Sequence, residues 1–297
     1  MNSSGALRRQ LTPLEPLVSR IESAAELDAV GKKLGAAVRE NLPRGPLKDA
    51  LSGTWLGHAL HPMLTDVVIG SFVSASLLDV VGPRDGRASE RLIAIGLLAY
   101  LPTAAAGVND WADSEAVDDA VRRAGVVHAG GNALAAVLYA ASRRARRRGA
   151  RRFGAALGFA GMGVLLSGGY LGGHLSLSKG VGPDQTVFDP GQTEWRPAAD
   201  ASLLVDRKPL RVVVDDTPVL LLRDGEEIFA IHDRCSHRGC SLSEGSVEGN
   251  EIVCACHGSR FDRRDGSLKG GPATAAQPAF QVRVQDDRVE VRRLTPA

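Results

Sequence analysis

A chain of 297 residues carrying 36 basic and 34 acidic side chains is long enough for two domains, and a net charge of only +2 does not favour nucleic acid as a partner. All four cysteines fall between Cys235 and Cys256, a clustering that points to metal, a disulfide or both. The N-terminus lacks the charged and apolar regions of a signal peptide, so any export is expected to use internal signals.

In residues 1–57, Ile21, Val30, Leu34 and Val38 share one helical face, which predicts an amphipathic segment resting on a membrane or on another domain. Beyond it the composition turns apolar. A membrane-spanning helix needs about 20 largely apolar residues. Leu92–Asn109, Ala124–Ser142 and Phe153–Gly173 carry no charge, and His61–Leu78 is apolar apart from His61 and Asp66. We predict four transmembrane helices, at about 60–80, 91–109, 123–142 and 153–173, within a membrane domain at 58–174. The last three lack the polar face that a soluble helical bundle repeats every 3.6 residues.

The loops set an orientation. Arg84, Arg87 and Arg91 flank the first connection, and seven arginines lie between Arg143 and Arg152 in the third. The second carries Asp110, Asp113, Glu115, Asp118 and Asp119 and no basic residue before Arg122. The positive-inside rule places the arginine loops in the cytoplasm and both termini outside. Arg151-Arg152-Phe153, ahead of the fourth helix, resembles a twin-arginine export signal placed before a last membrane helix; charge that merely sets topology is the alternative.

With that orientation His58, His61, His128 and His174 all lie at the outer helix ends, and Asp66 stands about one turn below His61. Polar groups at membrane depth are functional candidates. These five residues are expected to form a pocket for haem b, a metal or a quinol head group, His58 standing just outside it; ordinary polar helix ends are the bland reading. The run His58-Ala-Leu-His61-Pro-Met-Leu-Thr-Asp66 with Gly-Gly-His174-Leu resembles a four-helix bacterial membrane family of unknown function over about residues 50–185.

Residues 175–197, with Gly-Val-Gly-Pro and Asp-Pro-Gly, read as a linker, and 198–297 as an all-β domain. Strands are predicted at Leu210–Val214, Val219–Arg223, Glu227–His232, Glu251–Cys254, Phe280–Val284 and Arg288–Arg292, with a hairpin turn at Asp224-Gly225. Inside this domain stand Cys235-Ser-His237-Arg-Gly-Cys240 and Cys254-Ala-Cys256-His257-Gly-Ser259. Two loops thus each offer one thiolate and one imidazole, a donor set that suits zinc as well as iron.

The pattern C-x-H, a 16-residue spacer, then C-x-x-H resembles the Rieske family over roughly residues 200–295. That resemblance implies a [2Fe–2S] cluster with Cys235 and Cys254 on the inner iron and His237 and His257 on the outer. Cys240 and Cys256 occupy positions that pair as a disulfide in family members of the cytochrome bc type, which suits an oxidising compartment. Ser259 matches a serine that hydrogen-bonds a bridging sulfide, and Gly270-Gly271-Pro272-Ala273 resembles the proline loop over the cluster. Phe261 stands where many high-potential members have Tyr, so a lower potential is expected. His232 fits no ligand position and reads as a strand-end residue.

These expectations describe a multidomain chain, a four-helix transmembrane bundle followed by an all-β Rieske domain. It would be a multi-pass cell-membrane protein with an extracytoplasmic cluster, no catalytic residue of its own, and the exposed edges of His237 and His257 as the electron contact. The expected partners are quinol or another membrane redox partner, a protein electron acceptor and the lipid bilayer. A ferredoxin with a purely anchoring membrane half, serving a separate oxidoreductase, is the alternative. A terminal oxygenase would need a mononuclear iron in a large soluble catalytic domain, and no stretch of this chain has room for one.

Overall fold

The computed structural model describes residues 13–81 and 86–294; Arg84 therefore lies outside the described residues. Among the described residues four helices are long and apolar enough to cross a membrane: α4 Leu60–Val81, α5 Arg87–Ala112, α6 Asp119–Arg147 and α7 Arg151–Leu177, of 22, 26, 29 and 27 residues. Even the shortest extends about 33 Å, enough for a hydrocarbon layer about 30 Å thick. Val68, Phe72 and Ala75 of α4 pack with Ile93 of α5, Ala135 and Tyr139 of α6, and Leu165 of α7 in one buried cluster.

The helices run past their expected ends because charged residues continue them. Asp118 caps α6, its carboxylate accepting the backbone N–H groups of Ala120 and Val121 at 2.7 and 3.2 Å. The arginine run is not an open loop: it stays helical to Arg147 and resumes at Arg151. Arg146 is buried and donates from Nη1 to Asp79 Oδ1 at 2.7 Å, tying α6 to α4.

Three shorter helices precede the bundle: α1 Glu15–Glu22, α2 Asp28–Asn41 and α3 Pro46–Ser52. On α2 the face packed on the bundle carries the buried Gly31 and Gly35, while Val30 and Leu34 are exposed. Ion pairs dictate this. A Cβ at Gly35 would stand 2.1 Å from the Glu115 carboxylate and one at Gly31 2.5 Å from the Arg122 side chain. Glu115, 1 % exposed, accepts from Arg39 at 2.6 Å and from Arg122 at 2.8 Å. Asp113 and Glu115 of the acidic connection between α5 and α6 are therefore packed beneath basic groups of residues 39–48 and of α6 rather than solvated.

Among the described residues ten strands follow, the first starting at Arg196, within the last two residues of the expected linker. An antiparallel six-stranded sheet has the order β1-β10-β9-β4-β3-β2, from β1 Arg196–Asp200, β2 Leu210–Val214, β3 Thr217–Asp224, β4 Glu227–His232, β9 Ala279–Gln285 and β10 Arg288–Arg293. A smaller sheet runs β5-β6-β7-β8, from Ser246–Glu248, Glu251–Val253, Arg260–Asp262 and Leu268–Gly270. Asp224 pairs with Glu227, so the β3–β4 turn is Gly225-Glu226, with Gly225 at φ +62°. Leu220, Leu222 and Ile231 of the large sheet meet Ile252 and Phe261 of the small one, and the same cluster encloses Cys235 and Cys254.

Candidate metal centre

Two loops at the end of the small sheet make the same backbone turn. Cys235 O accepts from Gly239 N at 2.8 Å and Cys235 N donates to Cys240 O at 2.8 Å. Cys254 O accepts from Gly258 N at 3.0 Å and Cys254 N donates to Ser259 O at 2.9 Å. Gly239 and Gly258 have φ +76° and +81°, a left-handed conformation that glycine adopts without strain. Buried Asp233 holds the first loop, accepting from Ser241 Oγ at 2.7 Å, Ser243 N at 2.8 Å and Arg211 Nε at 3.1 Å. His232, fully buried as a strand-end residue, sits 3.2 Å from Asp189 Oδ2 through Nε2 and accepts Arg234 N–H at Nδ1.

Cys235 and Cys254 are free thiols, each 1 % exposed. The Cys254 thiol is drawn down by hydrogen bonding to Cys235, and that contact together with burial pushes the Cys235 thiol up. Beside them Cys240 and Cys256 form a disulfide with Cα atoms 6.5 Å apart, pinning the two loops together. The rings of His237 and His257 stand edge to face with centroids 5.0 Å apart. Burial drives both imidazoles below the ordinary histidine range, so they are neutral, the form that ligates metal. His237 Nδ1 is buried without a hydrogen-bond partner. An orphaned ring nitrogen, a second neutral imidazole and two paired buried thiols fit a two-metal cluster with mixed ligation.

A third loop covers this centre. Gly271 has φ +83°, and a Cβ there would lie 2.5 Å from Gly258 O. Only glycine lets Pro272 close over the second ligand loop. Ser259, fully buried, accepts Ala273 N–H at 3.1 Å. Phe261, also fully buried, packs in the cluster that contains both free cysteines.

The His237 edge, expected to be exposed, is covered by the helical half, while His257 is half-buried. His237 Nε2 stands 3.7 Å from Asp113 Oδ2, and its side chain is 9 % exposed. Asp113, Asn109 and Lys48 form one buried group, Lys48 Nζ donating to Asp113 at 2.9 Å and to Asn109 at 3.1 Å. Around it Arg44 donates to Ala255 O and Cys256 O at 2.7 and 3.0 Å. Thr54 Oγ1 donates to Gly271 O at 2.5 Å, Gly271 N donates to Asp49 at 3.1 Å, and Arg238 donates to Asp110 O at 3.1 Å. Residues 44–54, which the sequence left without a role, thus build a platform under the ligand loops. Lys48, Asp49 and Thr54 carry no motif that would have singled them out.

The five membrane-half residues do not form one pocket. His58 is exposed, with Nδ1 3.3 Å from the neighbouring Ala59 O, and Asp66 is exposed on α4. His174 Nε2 meets Glu22 Oε1 at 2.8 Å, where Lys179 also binds at 2.8 Å. His174 and Asp66 are corrections: Glu22, outside the predicted helices, takes the His174 ring as a hydrogen-bond partner, and the helical turn points Asp66 away from His61. His61 and His128 remain, each bonded across its own hairpin through Nδ1, to Thr103 O at 2.9 Å and to Gly168 O at 2.8 Å.

Residues 194–282 match the Rieske [2Fe–2S] domain family, and residues 57–185 match a family described as a predicted membrane protein (DUF2231). The anthranilate 1,2-dioxygenase ferredoxin subunit of Burkholderia cepacia is 36 % identical over 98 residues, 33 % of this chain and 91 % of that protein. The cytochrome b6-f complex iron-sulfur subunit of Prochlorococcus marinus (strain AS9601) is 32 % identical over 90 residues, 30 % of this chain and 49 % of that protein. Among solved structures, the ferredoxin of carbazole 1,9a-dioxygenase from Nocardioides aromaticivorans IC177 is 31 % identical, covering 32 % of this chain and 94 % of that one at a TM-score of 0.31. The C-terminal β domain, with its two ligand loops, makes this chain a member of the Rieske [2Fe–2S] family, carried on a membrane domain of the DUF2231 type.

Proposed function

We propose that this protein is a membrane-anchored one-electron carrier that accepts electrons from quinol at the outer membrane face. Cys235 and Cys254 would hold the inner iron of the [2Fe–2S] cluster, and His237 and His257 the outer one. When bound, that cluster supplies reversible one-electron exchange. The observation that carries the reading is the contact between His237 and Asp113: the histidine edge is turned toward the membrane helices and away from bulk solvent. The chain's own platform covers that edge. Lys48 compensates the Asp113 carboxylate, so the platform presents a partly neutralised acid to the imidazole instead of a bare charge. The arginine distribution supports the outer orientation, and the Cys240–Cys256 disulfide suits an oxidising compartment.

Ferredoxin components of dioxygenases are among the relatives, which favours as a second reading the delivery of electrons to a separate oxidoreductase. Reductive titration of the detergent-purified full chain with a quinol, followed by EPR, separates the two. The expected outcome is a Rieske-type signal that grows with quinol and is absent in His257→Ala. A cluster reduced by dithionite and untouched by quinol would favour the ferredoxin reading, and a colourless protein carrying zinc would end both.

A further inference from the structure

The bundle is a hairpin laid down twice. Phe72 of α4 stacks on Tyr139 of α6 with ring centroids 4.0 Å apart and planes 9° from parallel. The Tyr139 hydroxyl reaches Phe72 O at 3.0 Å, a bond between residues 67 apart. Toward the arginine end Asp79 pairs with Arg146, again 67 apart. Two contacts with one offset fix α4 and α6 as parallel helices in register. His61 and His128 have the same offset, and each precedes its stacked aromatic by eleven residues. Eleven residues are about three full turns, so both histidines return to the face that carries the Phe72–Tyr139 stack, at equal depth.

The second helix of each hairpin repeats as well. A Cβ at Gly96 would stand 2.5 Å from Phe72 and one at Gly107 2.6 Å from His61. In the other hairpin Gly161 is related in the same way to Tyr139 at 3.0 Å, and Gly172 to His128 at 2.8 Å. In both, the histidine bonds the carbonyl four residues before that glycine, Thr103 O or Gly168 O. A carbonyl can only accept, so Nδ1 carries the proton and Nε2 of the neutral ring keeps its lone pair. That is how a metal-ligating histidine is normally held. His61 Nε2 has no hydrogen-bond partner among the described residues, and His128 Nε2 has only the Asn132 amide at 3.2 Å.

We propose that His61 and His128 are the two axial ligands of an iron porphyrin seated between α4 and α6. Two imidazoles fill two positions on a metal. The groups of three or more metal-ligating side chains among the described residues lie elsewhere, around Asp113 and around the disulfide. A metal held by this pair must therefore bring its remaining ligands with it, as a macrocycle brings four nitrogens. Gly131, three residues beyond His128 and so on the same side of α6, has nothing within 4 Å of the position of an added Cβ, which leaves an open side for the edge of a flat apolar ring. The site stands on the helical half alone; its role as electron partner of the cluster rests on the reading above. Gly107, against His61, lies six residues before Asp113, about 9 Å along the helical axis from the group that faces His237.

The test is haem content and spectrum of the full chain purified in detergent from haem-supplied cells, or titrated with haemin after purification. Saturable binding of one haem per chain is expected, with the optical and EPR signature of bis-histidine ligation. It should be lost in His61→Ala and in His128→Ala and kept in His58→Ala and His174→Ala. The Rieske EPR signal serves as an independent folding control, so failure here and failure of the cluster assignment are distinguishable. Should an alanine variant lose both signals, His61→Met and His128→Met decide: each should retain haem with a His/Met spectrum and a raised haem potential. Absence of saturable haemin binding, or a haem spectrum indifferent to substitution of both histidines, overturns the proposal.

Discussion

Replacing Lys48 by Met tests whether the platform under the ligand loops is held by charge. Lys48 and Asp113 are 6 % and 2 % exposed at their side chains and 2.9 Å apart. Asp113 Oδ2 has no hydrogen-bond partner, so Lys48 is the main compensation for this carboxylate. Removing one member of a buried pair leaves an uncompensated charge and costs about 3–5 kcal/mol. Here the cost falls on the seat of α3 against the end of α5, since Lys48 also donates to Asn109. Local opening of α3 should become easier by roughly two to three and a half powers of ten, at about 1.4 kcal/mol per tenfold. Hydrogen exchange read by mass spectrometry on the detergent-solubilised chain measures this directly. Faster exchange is expected in residues 46–54 and, through Arg44, Asp49 and Thr54, in the loops at 255–258 and 271. The double variant Lys48→Met/Asp113→Leu removes both charges and should recover most of the protection. Exchange in Lys48→Met within a few-fold of the parent would refute the reasoning, because the carboxylate would then be finding water or a proton at little cost.

Three further outcomes are expected. Cys240→Ser opens a bridge between residues 16 apart in sequence and should cost about 3 kcal/mol, seen as faster loss of the visible cluster absorbance on warming; unchanged retention would show that the loops are held by their turns alone. Phe261→Tyr should raise the cluster potential in a redox titration, since Phe261 is fully buried among the residues that enclose both free cysteines; an unmoved or lowered potential would mean that the new hydroxyl reaches no ligand sulfur. Impermeant labelling of single cysteines introduced at Arg147 and at Lys269 should modify the second from outside intact cells and the first only after lysis. The reverse pattern would remove the outer-face orientation and the quinol site with it.

Hydrophobic run lengths and ligand spacing carried the main lines of this protein by themselves. Four uncharged or nearly uncharged stretches long enough for a bilayer became α4 to α7, because a spanning helix satisfies its backbone internally and needs no neighbour to specify it. Six predicted strands match observed ones, two of them to the residue at Leu210–Val214 and Glu227–His232. The short strands β5, β7 and β8, three residues each, carry too few alternations to show a period. The two Cys/His loops were legible because ligand chemistry demands particular residue types at particular spacings.

Tertiary structure alone decided what faces what. On α2 Gly31 and Gly35 form the packed face and Val30 and Leu34 stay exposed, because Glu115 and Arg122 need counter-charges and only glycine leaves them room. Four histidines at one end of the bundle looked alike in the sequence. Glu22, 152 residues from His174, claims one of them, and the 67-residue repeat of the hairpin pairs two others. The burial of the His237 edge depends on Lys48, Asp49 and Thr54, ordinary polar residues whose meaning comes from partners up to 222 positions away. Local pattern reports what a segment can form on its own; a desolvated ion pair or a hydrogen bond between distant loops has no local pattern, and its geometry exists only once the chain has folded.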